Sequence, residues 1–176
     1  PIPASSSPAP PGCYRYAVDI GSIRLVTLDS SVPGVPHGAL SAEQLGFLDG
    51  ELARAGNRPA LIVVHHPPLR TGNPTMDRFA LAEPEALAEV ISQHDNVLSI
   101  LCGHYHHTVF GAFAGTTVAI APATGHQLQL SNHRETFGYS LEPPGYLLHR
   151  WSANDGLVTM LETVDQYPGP MTIVVP

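Results

Sequence analysis

At 176 residues the chain is long enough for one domain with a sizeable core, and 43% hydrophobic against 13% charged residues fits a globular chain. The formal net charge is −7 and all 8 bases are arginine, so no basic stripe exists for a nucleic-acid polymer. No run approaches the roughly 18 apolar residues of a spanning helix, and 18 prolines with 16 glycines favour short elements joined by turns over a helical bundle.

Residues 1–12 (PIPASSSPAPPG) read as a linker or loop, and residues 13–176 as one domain. Tyr14 to Ile20 and Ile23 to Asp29 are expected as a hairpin about Gly21-Ser22. A Pro/Gly-rich loop from Ser31 to His37 leads to a helix. Ser41 is its N-cap, Gln44 completes a capping box, Leu45, Leu48 and Leu52 form its apolar stripe, and Gly56-Asn57 ends it. Ala60 to Val64 is an unbroken apolar run, as suits a strand covered on both faces. The loop from Pro67 to Ala82 precedes a second helix, with Pro84 near its start and Leu87, Val90 and Ile91 on one side. Val97 to Leu101 is the next strand, so residues 60–101 spell a parallel βαβ unit. From Thr108 onward the pattern is all-β, with candidate strands Thr108–Phe113, Thr116–Ala121, Gly145–Trp151 and Leu157–Val164.

Two histidine clusters stand immediately after the two strands of that unit: His65-His66-Pro67-Pro68 and Gly103-His104-Tyr105-His106-His107. Ligands gather at the carboxyl ends of strands in open α/β sheets, and imidazole is the commonest ligand of zinc-like metals. His104 and His106 share one face if the backbone stays extended there, while alternation turns His107 away. His126, in Gly125-His126-Gln127, follows a later strand and reaches the same end of the fold. His37, His94 and His149 read as ordinary residues, His94 being favourably placed at a helix C-terminus. Cys102 alternates away from the histidines, and with Cys13 it reads as a free thiol of a reducing, cytoplasmic compartment.

The order Asp29-Ser30, strand, His65-His66-Pro67-Pro68-Leu69, Met76-Asp77, helix, Ile100-Leu101-Cys102-Gly103-His104-Tyr105-His106, Ala123-Thr124-Gly125-His126-Gln127 resembles the calcineurin-like metallophosphoesterases. The branch it is most similar to contains glycerophosphodiesterases and class III cyclic-nucleotide phosphodiesterases. The resemblance implies an α/β chain that forms the C-terminal part of a four-layer αββα sandwich. It also implies two metal ions, divalent or trivalent (iron, manganese, zinc or cobalt), held by five motifs. Only two of these are present here. By resemblance His65 is the lone histidine ligand and His104 completes the same metal, while His106 belongs to the second. His66 and His107 fall behind the ligands. His126, Asp77 and Arg70 are candidates to touch substrate, although Asp77 has an ordinary reading as a local cap and Arg70 as a solvated base.

The implied reaction is hydrolysis of a cyclic nucleotide or glycerophosphodiester by a metal-bound hydroxide. The Asp-x-His, Gly-Asp-x-x-Asp/Glu and Gly-Asn-His-Asp/Glu motifs do not occur in the chain, and Asn132-His133 comes too late and lacks the glycine and acid. Two dications need carboxylates that three neutral imidazoles do not supply, so the chain by itself is expected to hold one metal loosely or none. It therefore reads as the C-terminal part of a hydrolase, with exposed β edges that favour aggregation. A small phosphodiester is the expected partner, with no nucleic-acid polymer, no membrane span, and a homo-oligomer left open. An inactive fragment with a single-metal or interaction role is one alternative, and a phosphomonoesterase of the same fold is another.

Overall fold

The computed structural model describes residues 14–128, 138–166 and 168. The proline-rich opening, Cys13 and Asn132-His133 lie outside them. The chain opens with the hairpin β1 (Tyr16–Ile20) and β2 (Ile23–Leu28), paired antiparallel and closed by Ile20 opposite Ile23. Helix α1 (Ala42–Ala55) follows, then β3 (Ala60–Val64), a 3₁₀ turn (Met76–Phe79), helix α2 (Pro84–Ile91) and β4 (Val97–Cys102). Strands β5 (Val109–Phe113) and β6 (Thr116–Ile120) form a second hairpin, turned by Ala114 and Gly115. Both turn residues have positive φ, 48° and 83°, as the mirror-image two-residue hairpin turn requires. Two short strands, β7 (Gln127–Leu128) and β8 (Tyr139–Ser140), precede the long hairpin β9 (Gly145–Ser152) and β10 (Gly156–Thr163).

Six of these strands form one mixed sheet in the order β1-β2-β3-β4-β6-β5. Strands β2, β3, β4 and β6 run parallel, and antiparallel β1 and β5 close the two edges. The parallel centre explains the unbroken apolar runs: four of the five residues of β3 are buried, as a strand covered on both faces demands. The core gathers Val26, Leu48, Leu52, Ile62, Leu87, Ile100, Val118 and Ile120, from the four parallel strands and both helices. Strands β7-β8 and β9-β10 form separate two-stranded sheets.

Helix α1 starts as expected, with the Ser41 side chain accepting from the Gln44 backbone N–H at 3.3 Å, and ends at Gly56 with φ 59°. The capping box itself is not formed. The Gln44 amide instead clamps Asp29 at the end of β2, accepting from its N–H at 2.8 Å and donating to its carbonyl at 2.5 Å. A side chain assigned to the local cap thus ties the helix to the sheet. On the same face Glu51 is buried against Arg24 and also pairs with Arg54, while Asp19 joins Arg24 and Arg58, each at 2.9 Å.

Candidate functional site

The carboxyl ends of β2, β3, β4 and β6 all lie along one edge of the sheet, because those strands are parallel. Ser30 follows β2, His65 and His66 follow β3, His104 to His107 follow β4, and His126 follows β6. Backbone pairing continues beyond the strands and fixes these exits: Gly103 N–H donates to the His65 carbonyl at 3.2 Å, and Ala121 N–H to the Cys102 carbonyl at 2.9 Å.

His65, His66 and His104 come together, with one ring nitrogen from each lying within 4.8 Å of the others. His65 Nε2 and His104 Nδ1 are 3.0 Å apart, and the His66 and His104 ring centroids 4.4 Å. His66 is buried and fixed from behind by Ser30, whose hydroxyl lies 2.8 Å from Nδ1 and also accepts from the His66 backbone N–H at 3.3 Å. That is the arrangement of a ligating imidazole, one nitrogen held by a neighbour so that the other is aimed. Gly38 also packs against this ring. A Cβ at residue 38 would sit 2.4 Å from the imidazole, so only glycine permits the approach.

The expectation that His104 and His106 share one face of an extended strand is not met. Strand β4 ends at Cys102, and both histidines take positive φ, 68° and 46°. Residues other than glycine rarely adopt this conformation, and it is held here by Tyr105. That side chain is 0% exposed and its hydroxyl donates to the Leu69 carbonyl at 3.0 Å. With Tyr105 plugged into the core, its neighbours diverge: His104 joins His65 and His66, whereas His106 lies against His126, ring centroids 4.9 Å apart. His126 in turn meets Tyr139 edge-on at 5.7 Å.

The remaining expected residues fall around this row. His107 lines a separate cleft with Pro122, Gln127 and the base of the β9–β10 hairpin. Asp77 accepts from Thr71 N–H at 2.6 Å, Thr71 Oγ1 at 3.0 Å and Gly72 N–H at 3.1 Å, so its carboxylate closes its own loop. Arg70 is exposed and lines a cleft with Asp77. His94 bonds Asp49 of α1 at 2.7 Å, and His149 bonds its cross-strand partner Thr159 at 2.9 Å. Cys102 is buried, which pushes its thiol pKa far up and keeps it protonated. Sequence reasoning gave no role to Ser30, Gly38 or Tyr105. The signals available were an apolar ring between two histidines and the Asp29-Ser30 pair at a strand end.

The electrostatics suit a cation ligand. Burial, followed by neighbouring imidazoles, lowers the pKa of His66 to about 4 and of His104 to about 4, and burial lowers that of His65. All three are neutral at pH 7, the form that binds metals. His106 Nδ1 is buried without a hydrogen-bond partner among the described residues, an unusual state that a ligand relieves. Two nitrogens sharing one zinc-like ion at about 2.0–2.1 Å lie roughly 3–3.4 Å apart, close to the His65–His104 separation. The residues therefore fit one borderline cation. Among the described residues no carboxylate joins the three histidines, so nothing there bridges a second ion.

No family model matches the chain. It is 32% identical over 160 residues to a glycerophosphodiester phosphodiesterase (GpdQ) of Enterobacter lignolyticus, covering 91% of this chain and 57% of that protein. A 3',5'-cyclic adenosine monophosphate phosphodiesterase (CpdA) of Escherichia coli is 33% identical over 136 residues, covering 77% and 49%. The chain thus spans about half the length of these relatives. Among solved structures, a dimetal phosphatase from Danio rerio matches with TM-score 0.52 at 18% identity, over 87% of this chain and 61% of that one. GAP50, the anchor in the inner membrane complex of Plasmodium, matches with TM-score 0.60 at 14% identity, over 88% and 51%. With the parallel strand ends presenting histidines in the same order as the quoted motifs, these likenesses settle the kinship: the chain belongs to the calcineurin-like metallophosphoesterases, in their glycerophosphodiesterase and cyclic-nucleotide phosphodiesterase branch.

Proposed function

We propose that this chain is the C-terminal, histidine-bearing part of a metal-dependent phosphodiesterase acting on a cyclic nucleotide or a glycerophosphodiester. The observation that carries the reading is the pair His65 Nε2 and His104 Nδ1, 3.0 Å apart at adjacent strand ends, beside a buried His106 Nδ1 with no partner among the described residues. His65 and His104 hold one ion. His66, locked by Ser30, stands close enough to join them or to fix the His104 ring. His106 serves a second ion whose carboxylate ligands are not among these residues. Bound here, iron, manganese, zinc or cobalt supplies Lewis acidity and makes water a nucleophile near neutral pH.

The protein's own residues supply position. His106 and His126 line a cleft with Gly103, His104 and Thr124. There His126 donates to a phosphate oxygen while its ring rests on Tyr139. The chain carries a formal net charge of −7, so attraction of an anionic substrate depends on the metal and on local cations rather than on the overall field. A small phosphodiester and a cytoplasmic setting fit this reading.

The test begins with metal content. The 176-residue chain should take up about one Co²⁺ or Zn²⁺, and His65→Asn with His104→Asn should lose it. Equal uptake by that double variant would refute the site. With the complete polypeptide, bis(p-nitrophenyl) phosphate should be cleaved in preference to p-nitrophenyl phosphate. The reverse preference would indicate a phosphomonoesterase, and tight metal binding without any cleavage a non-catalytic role.

A further inference from the structure

All the fixed positive charge of this acidic chain is carried by 8 arginines. Arg134 lies outside the described residues, which leaves seven. Five of these are ion-paired: Arg15 with Glu43, Arg24 with Asp19 and Glu51, Arg54 with Glu51, Arg58 with Asp19, and Arg150 with Asp155. Arg70 and Arg78 have no carboxylate within salt-bridge distance among the described residues, and both line one cleft of about 640 Å³. A single exposed arginine is ordinarily just solvated. Two that share a cavity, while the other five described arginines are paired, are a different case.

The cleft is built onto the histidine cluster. One wall is His37 with Ala80 to Ala82, and Gly38 bridges Leu81 between them. Gly38 N–H donates to the Ala80 carbonyl at 3.3 Å, and Ala82 N–H to the Gly38 carbonyl at 2.8 Å. Gly38 is also the residue pressed on the His66 ring, so this wall and the candidate metal centre share a boundary. On the other side Asp77 is the only acid among the described residues of the lining, and its oxygens are occupied by Thr71 and Gly72. That bonding fixes the loop after Arg70 and the 3₁₀ turn that carries Arg78. The acid is engaged with its loop, and the two arginines of the lining keep donors in excess of their carboxylate partners among the described residues.

We infer that this cleft is an anion subsite, taking a phosphate or carboxylate group of the substrate other than the phosphodiester that is cut. Its meaning for substrate choice rests on the phosphodiesterase reading, and its anion binding does not. The substrate class it selects is a diester with a charged far end, in preference to one whose far end is neutral.

Inorganic phosphate titrated into the metal-free 176-residue chain at low ionic strength, followed by NMR of the arginine Nε–H and His37 signals, tests the subsite directly. Saturable shifts are expected. Arg70→Gln and Arg78→Gln should each weaken binding about fivefold, the upper range for an exposed charge pair. The paired Lys substitutions should recover most of the loss, and Arg150→Gln, in the β9–β10 hairpin, should change nothing. Phosphate bound as tightly by the Arg70→Gln, Arg78→Gln double variant overturns the inference. Acetate run in parallel separates the two anion sources: shifts matching those of phosphate assign carboxylate as well, and weaker ones assign phosphate. In the metal-loaded complete protein the same double variant should raise KM, at unchanged kcat, for a diester carrying a second anion. It should leave bis(p-nitrophenyl) phosphate unaffected. Equal KM effects on both diesters would also overturn the inference, whereas failure to cleave any diester would sink the phosphodiesterase reading and leave the phosphate titration to stand.

Discussion

The six-stranded sheet and the β9–β10 hairpin are built from the same kinds of residue and reach opposite ends. In the sheet, Val26, Ile62, Ile100, Val118 and Ile120 are fully buried under helices and neighbouring strands. In the hairpin, Leu148 is 46% and Leu161 55% exposed, although both sit in a regular eight-residue ladder. The hairpin is tied to the body mainly at its base, where Gly145 N–H bonds the Ala123 carbonyl at 3.1 Å and Gly145 packs on Pro122. Strand propensity therefore made both regions, and only a covering layer made one of them a core. The metal candidates lie on the covered region, which explains their fixed rings.

Four experiments distinguish the covered sheet from the exposed hairpin. The largest effect is expected from Glu51→Ala, because Glu51 is 1% exposed and its loss takes the buried partner from Arg24, which keeps the half-exposed Asp19. A cost of about 3–5 kcal/mol by denaturant unfolding is expected; a cost below about 1 kcal/mol would mean that the sheet side tolerates buried charge. Next, Ile62→Val in β3 should cost about 1 kcal/mol through lost packing, read as a lowered urea midpoint at unchanged slope.

Third is acid sensitivity. His66 and His104 have an ordinary pKa of 6.5 that folding lowers to about 4, so the unfolded chain binds protons that the native one refuses. Their contribution to stability is complete above pH 6.5 and is lost as pH falls from 6.5 towards about 4. Thermal midpoints of the metal-free chain should decline through that window, and His66→Asn should flatten the decline. A slope identical in wild type and variant would show that the cluster is not desolvated. Last, Leu161→Thr in the hairpin should alter stability by less than about 0.5 kcal/mol while reducing self-association in sedimentation. A loss comparable to Ile62→Val would show the hairpin to be as well covered as the sheet.

Much of the covered region was legible beforehand. Strand β3 announced itself by an unbroken apolar run, and α1 by Ser41 and Gly56 at its two ends. The histidine-bearing strand ends followed from the βαβ order of residues 60–101. What stayed hidden depends on partners distant in sequence. Gln44 chose Asp29, 15 residues away, over its own helix start. Ser30 reaches His66 across 36 residues, and no local pattern encodes that. The H-x-H turn misled for another reason: alternation assumes a continuing strand, and the buried Tyr105 ended it. Strands β7 and β8, two residues each, are too short for any periodicity to register.

The left-handed backbone at His104 and His106 has a consequence for heredity. Alanine at either position loses the imidazole and keeps a conformation that costs an ordinary residue roughly 1–2 kcal/mol, so alanine scanning there conflates ligand loss with a folding penalty. Asparagine and glycine accept the conformation at little cost. A lineage drifting away from metal binding would thus meet least resistance through asparagine or glycine at these two sites, and relatives carrying them should keep the turn after its chemistry has gone.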